Sequence, residues 1–235
     1  MTSHWTAAHV AAIDRETMAC APLFPKPQPL IPGVDLWDYW PVQEEDGSQA
    51  VIAGGTLFIL LSAPTLLDPE ARHGMARLRL MHRVGNVWRD LGLLFENGFS
   101  PGSREWSGSA IVSGDHDHIT LYYTVAGTRG EQVLSYSQRL FETQAALSVV
   151  GNAITLSAWS TPVEMLVPDG IDYMRDMEGG GAIGTIKAFR DPAFFRDPAD
   201  GAAYVFYAAS LARSASFWNG AVGMARLMPD GQWER

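Results

Sequence analysis

Three short segments of this 235-residue chain set an acid beside aromatic rings or an arginine. The first is Trp37-Asp38-Tyr39-Trp40-Pro41. A carboxylate among indole and phenol rings is costly if the site is dry, because desolvation disfavours its charged form. Sugar sites commonly combine these two elements: ring faces stack on C–H surfaces, and a carboxylate attacks the sugar or holds its hydroxyls. Taken alone, the pentad reads equally well as an exposed Asp beside core tryptophans. The second segment, Arg104-Glu105-Trp106-Ser107-Gly108-Ser109-Ala110, again places Trp beside small hydrogen-bonding residues. In the third, Phe189-Arg190-Asp191-Pro192, Arg precedes Asp at a strand start, where the guanidinium can hold the carboxylate ionised and pointed. Arg-Asp-Pro by itself is most often a turn.

Short strands must bring these segments together. The expected strands are Thr56–Ser62, Ala76–Arg83, Ala110–Val112, Ile119–Ala126, Gln132–Gln138, Ala153–Ser157, Ala203–Ala209 and Ala221–Leu227. Ala76-Arg77-Leu78-Arg79-Leu80 and Ile119-Thr120-Leu121-Tyr122-Tyr123-Thr124 alternate as half-buried strands do. Turns at Gly85-Asn86, Gly114-Asp115, Gly151-Asn152 and Asp200-Gly201 separate them. The class is therefore all-β: a sandwich, barrel or propeller. One helix is expected, over Thr6–Met18, capped by Thr6 and favoured by Ala7, Ala8, Ala11 and Ala12. Pro22, Pro25, Pro27, Pro29 and Pro32 then form an extended lead-in.

Composition narrows the partners. Hydrophobic content of 47% and charged content of 18% describe a globular chain, and the net charge of −9 comes with no basic run. Nucleic acid and anionic membranes are thereby disfavoured. No apolar stretch approaches membrane-spanning length. Met1–Ile13 lacks a basic start followed by an apolar run, which leaves location open between export by another route and a periplasmic or cytoplasmic protein. Cys20 is the single cysteine, so no intrachain disulfide can form, and it reads as a small hydrophobe.

Together and in this order, the three segments resemble glycoside hydrolase family 68, the levansucrases, inulosucrases and related β-fructofuranosidases. That family's pattern runs Trp-Asp-x-x-Pro, Glu-Trp-(Ser/Ala)-Gly, Arg-Asp-Pro. Trp5-Thr6, Arg72-His73-Gly74-Met75-Ala76-Arg77 and Asn219-Gly220-Ala221-Val222-Gly223-Met224 extend the likeness over nearly the whole chain. The resemblance implies a five-bladed β-propeller with a funnel-shaped pocket and no cofactor. It implies Asp38 as nucleophile and Asp191 as transition-state stabiliser. Trp37 and Trp106 would line the fructosyl subsite, Ser107 would hydrogen-bond near the nucleophile, and Arg190 would contact substrate and orient its neighbour. Sucrose would form a fructosyl-enzyme, release glucose, and pass fructose to fructan or water. Within that family a mainly hydrolytic β-fructofuranosidase fits the same residues. A truncated propeller that binds sugar without turnover is the non-enzymatic alternative. Family 32 invertases share Arg-Asp-Pro but start from an Asn-Asp-Pro motif that is not found here.

The chain departs from the family in several places. A retaining transfer needs a protonated acid about 5–5.5 Å from the nucleophile, and the family carries it on a Glu followed by Arg. Glu234-Arg235 follows Met224–Gly231, a stretch well ahead of that glutamate, and is rejected as its counterpart. The expectation is a single partial catalytic domain over 1–235 of about three blades, with the helix and lead-in over 1–33, no acid/base residue, no activity alone and poor solubility. Phe206-Tyr207-Ala208-Ala209-Ser210 replaces a Phe-Glu-(Gly/Ala)-Asn stretch, which leaves acceptor preference open. Asn219 matches one calcium-liganding position but Thr185 does not match another, so no metal is expected. Asp115-His116-Asp117-His118 is read as a solvated turn, Gly179-Gly180-Gly181 as a flexible loop, and Asp197 of Arg196-Asp197-Pro198 as a hairpin residue. His73 is open between substrate contact and packing. Oligomeric state is not legible.

Overall fold

The computed structural model describes residues 6–14, 16, 28–175 and 186–235. Trp5, Cys20, Pro22, Pro25, Pro27, Gly179-Gly180-Gly181 and Thr185 lie outside the described residues. The strands are β1 (Val34–Gln43), β2 (Thr56–Pro64), β3 (Arg77–Val84), β4 (Val87–Leu93), β5 (Arg104–Val112), β6 (His118–Ala126), β7 (Gln138–Val150), β8 (Ala153–Ser157) and β9 (Val163–Leu166). They continue as β10 (Phe189–Arg196), β11 (Ala203–Ser210), β12 (Gly220–Leu227) and β13 (Trp233–Glu234). The all-β expectation matches this architecture.

One sheet runs β4-β3-β2-β1-β5-β6-β7-β8, with β9 on β7; a second runs β10-β11-β12-β13. All pairings are antiparallel except the short parallel contact of β1 with β5, at Val42↔Ala110 and Gln43↔Ile111. The larger sheet is thus two antiparallel meanders joined by their inner strands. Between them lies a core of Leu57, Ile59, Leu78, Ile119, Leu121, Tyr123 and Val125. A second core joins β10–β13 to the first sheet, where Tyr122 stacks on Phe194 with centroids 5.4 Å apart. Burying such side chains stabilises by about 1.5–3 kcal/mol each. The outward side of the smaller sheet keeps Val222, Met224 and Phe195 exposed.

As the inner edge of the smaller sheet, β10 has no backbone partner on one side. Side chains of the larger sheet supply one: Gln138 Oε1 accepts from Phe189 N at 3.0 Å, Thr124 Oγ1 from Asp191 N at 2.8 Å, and Ser109 Oγ from Phe194 N at 2.9 Å. An open strand edge is closed here without a ladder.

Three sequence expectations are corrected. The helix, α1, spans Ala7–Ala11, capped by Thr6 as expected; within the expected span Thr6–Met18, residues 12–14 and 16 are not helical, with Asp14 Oδ1 accepting from Glu16 N at 2.9 Å in a local turn bond that competes with helix, and residues 15, 17 and 18 lie outside the described residues. Of the expected strand Gln132–Gln138, only Gln138 is in β7 and residues 132–137 are a loop before it, where buried Arg104 reaches across to the Ser135 carbonyl and Glu131. The second motif lies within a strand that begins at Arg104 rather than Ala110. Among the described residues no helix is long and apolar enough to cross a membrane.

Candidate active site

Each of the three motifs interrupts its strand's register. The β1–β2 pairing shifts between Trp37 and Tyr39, β5–β6 between Trp106 and Gly108, and β10–β11 between Arg190 and Ala193. A bulge bends its strand and re-aims the side chain at the break. The residues dropped from register are Asp38, Ser107 and Asp191 with Pro192. Asp38 and Asp191 also hold left-handed φ values of 39° and 61°, a backbone that Asp tolerates better than most residues. Glycine is required beside Ser107: a Cβ on Gly108 would lie 1.9 Å from the Tyr122 carbonyl oxygen.

These breaks converge on one cavity of about 400 Å³, lined by Asp38, Trp106, Ser107, Arg190 and Asp191, with Leu61, Glu70, His73 and Ile186. Its size suits a small sugar. Ser107 Oγ donates to Asp38 Oδ2 at 3.2 Å. Arg190 Nε lies 3.5 Å from Asp191 Oδ2. The Asp191 side chain keeps 45% of its surface open to the cavity. Even so, crowding by the cavity walls pushes its pKa up; the Arg190 guanidinium opposes this and the Asp38 charge adds to it. The influence of Asp38 on Asp191 is that of two acids sharing one site.

The rest of the second motif faces away from the cavity. Arg77 Nε donates to buried Glu105 Oε2 at 2.6 Å and ties β3 to β5. Burial pushes the Glu105 carboxyl up and Arg77 pulls it back. Trp37 is not among the cavity-lining residues. It packs one layer behind, under the Arg72 guanidinium at 4.8 Å and edge-on to His73 at 6.0 Å. The turn Pro69–Gly74 builds the wall that sequence reasoning left open. His73 faces the cavity there, with its carbonyl 3.4 Å from Trp106 Nε1, and Glu70 contributes a further carboxylate 3.7 Å from His73 Nδ1. No spacing rule ties that turn to the motifs; only the fold places it there.

Other residues fall elsewhere. Glu234 sits on β13, paired with Arg226, and does not line this cavity. His116 lies 3.1 Å from Glu44, and His118 bonds Asp117 in the β5–β6 turn. Among the described residues no three His, Cys, Asp or Glu side chains converge as metal ligands. Asn219 Oδ1 accepts from Lys187 Nζ at 2.8 Å. Asp197 caps the β10–β11 hairpin by accepting from Ala199 N. Tyr207 is buried against Phe189 and Tyr173, away from the cavity.

Residues 1–230 match the family model for Levansucrase/Invertase, glycoside hydrolase family 68. The chain belongs to glycoside hydrolase family 68. A levansucrase, LscB, of Pseudomonas savastanoi pv. glycinea is 28% identical over 213 residues, covering 83% of this chain and 46% of its own. The levansucrase of Rahnella aquatilis is 27% identical over 196 residues, covering 76% and 44%. The chain thus spans about half the length of these family 68 relatives. An inulosucrase of Halalkalicoccus jeotgali bound to kestose superposes with a TM-score of 0.81 at 32% identity, over 96% of this chain and 58% of that one. Bacillus subtilis levansucrase shares the fold alone, with a TM-score of 0.68 at 21% identity over 87% and 56%.

Proposed function

We propose that this family 68 chain carries the fructosyl-binding half of a levansucrase-like fructosyltransferase acting on sucrose. In this reading the three antiparallel meanders are three blades of a five-bladed propeller, within one catalytic domain. Asp38 is the nucleophile: Ser107 occupies one carboxylate oxygen, and the other attacks the anomeric carbon of the fructosyl unit while the bond to glucose breaks. Trp106 offers an apolar wall for the ring. Asp191, backed by Arg190, accepts from fructosyl hydroxyls and stabilises the oxocarbenium-like transition state. Trp37 supports that site from behind. Water or a fructan end then takes the fructosyl group. The observation that carries this reading is the convergence of Asp38, Ser107 and Asp191, each at its own register break, on one cavity.

The donor of a proton to the leaving glucose is assigned to no residue here, and Glu234 does not serve. The test therefore uses β-D-fructofuranosyl fluoride. Fluoride leaves with little need of a general acid, so an Asp38 nucleophile is visible even without one. Fluoride release that vanishes in Asp38→Asn is expected. Binding of the sugar with no release above the Asp38→Asn level would leave only a sugar-binding propeller. With sucrose, glucose released in excess of free fructose reads out transfer, and equal amounts read out hydrolysis.

A further inference from the structure

We propose that Thr124 is a positioning residue that sets the spacing between the two cavity carboxylates. The inference rests on the reading of Asp38 and Asp191 given above. Thr124 lies on β6, outside all three motifs, and is fully buried. Its hydroxyl donates to the Ser107 carbonyl at 2.9 Å and accepts from Asp191 N at 2.8 Å. Both partners are products of the bulges: Ser107 has no residue opposite it on β6, and Asp191 none on β11. A hydroxyl offers one donor and two lone pairs, and here one of each meets a group that the ladders have dropped.

The connection is continuous. Asp38 Oδ2 is held by Ser107 Oγ, the Ser107 carbonyl by Thr124, and the Asp191 amide by the same Thr124 oxygen. Since β1 and β10 belong to different sheets, this relay, with buried Thr124 at its centre, is a short route by which one acid's position constrains the other's. Ser109 and Gln138 also tie β10 to the larger sheet, but neither bonds a residue that carries a cavity carboxylate. A shift of about 1 Å in a reacting group can lower a rate by about 10²-fold, so loss of the hydroxyl should act on turnover more than on sugar binding.

Thr124→Val keeps the shape and deletes the hydroxyl; Thr124→Ser keeps the hydroxyl. Fluoride release from β-D-fructofuranosyl fluoride is measured for both beside the unaltered protein, with hydrogen–deuterium exchange over residues 189–196. The Val variant should lose about 10–100-fold in kcat with KM within about threefold, and exchange faster in that segment. The Ser variant should stay within about threefold on kcat and KM and keep the exchange protection. A Val variant within twofold of the unaltered protein overturns the inference, as does a Ser variant as impaired as Val. If the unaltered protein releases no fluoride, the catalytic reading fails by itself, and exchange decides: unchanged protection in the Val variant overturns the positioning role. Should Val not fold, Thr124→Cys, with its weak thiol donor, should give intermediate protection, and full protection there overturns it.

Discussion

Strands β1 and β10 each carry an acid in left-handed backbone at a register break, yet they are held by different means. Strand β1 lies inside its sheet, paired with β2 through seven residues and with β5 through two. Strand β10 is an edge, and three side chains from the other sheet cap its amides. One acid thus sits on a strand with main-chain partners on both sides, whereas the other sits on a strand paired with β11 on one side and capped by hydroxyl and amide groups of its neighbours on the other. Main-chain placement is insensitive to most substitutions. Side-chain placement can be altered at single positions, so the β10 wall is where the geometry of this site can be tuned without breaking a sheet.

Removing each acid draws the contrast most sharply. On the proposed reading, Asp38→Asn should lower fluoride release by at least about 10⁴-fold, since a nucleophile has no substitute. Asp191→Asn should cost about 10²–10³-fold, the usual range for losing one electrostatic stabiliser. Steady-state rates of the two variants check this, and equal losses would erase the assigned difference in role. Next in size is a backbone clash on the main-chain side. Gly108→Ala places a methyl 1.9 Å from the Tyr122 carbonyl and should destabilise by about 3 kcal/mol, whereas Gly114→Ala, with nothing within 4 Å, should stay within about 0.5 kcal/mol. Denaturant midpoints measure both.

Much of this arrangement was legible in the sequence, and the limits have physical causes. Alternation located β3 and β6, and short strand candidates separated by turn residues located β2, β8, β11 and β12. It missed β1 and β10, whose periodicity the bulges at Asp38 and Asp191 interrupt. The interruption that hid the strands is what turns their acids into the cavity. Asp38, Trp106, Ser107, Arg190 and Asp191 were named from the resemblance of their motifs to family 68 and share one cavity. Trp37 stands behind it, since a bulge at Asp38 sends adjacent residues to different sides. His73, open in the sequence between substrate contact and packing, lines the cavity; Thr124 and Glu70 carried no sequence signal for the site, because their positions depend on contacts between distant strands.

The smallest effect tests how each acid sits in its surroundings. Burial raises the Asp191 pKa, Arg190 lowers it, and Asp38 raises it further. A carboxyl raised in the folded state binds its proton more tightly there than in the unfolded chain. Its ionisation therefore costs stability as pH rises from the ordinary carboxylate value, about 4, through the raised one, and the cost persists above it. Asp191→Asn does not titrate. Its stability relative to the unaltered protein should thus increase between acid and neutral pH and level off beyond. The change should be modest, because Asp191 remains partly open to solvent and Arg190 offsets its charge. Repeating the series in an Asp38→Asn background removes the repulsion between the acids and should shrink the change. Urea midpoints across pH 3–8 read it out. A constant difference at every pH would mean that the Asp191 carboxylate is as well solvated folded as unfolded, and an undiminished change in the Asp38→Asn background would mean that the two acids do not sense one another.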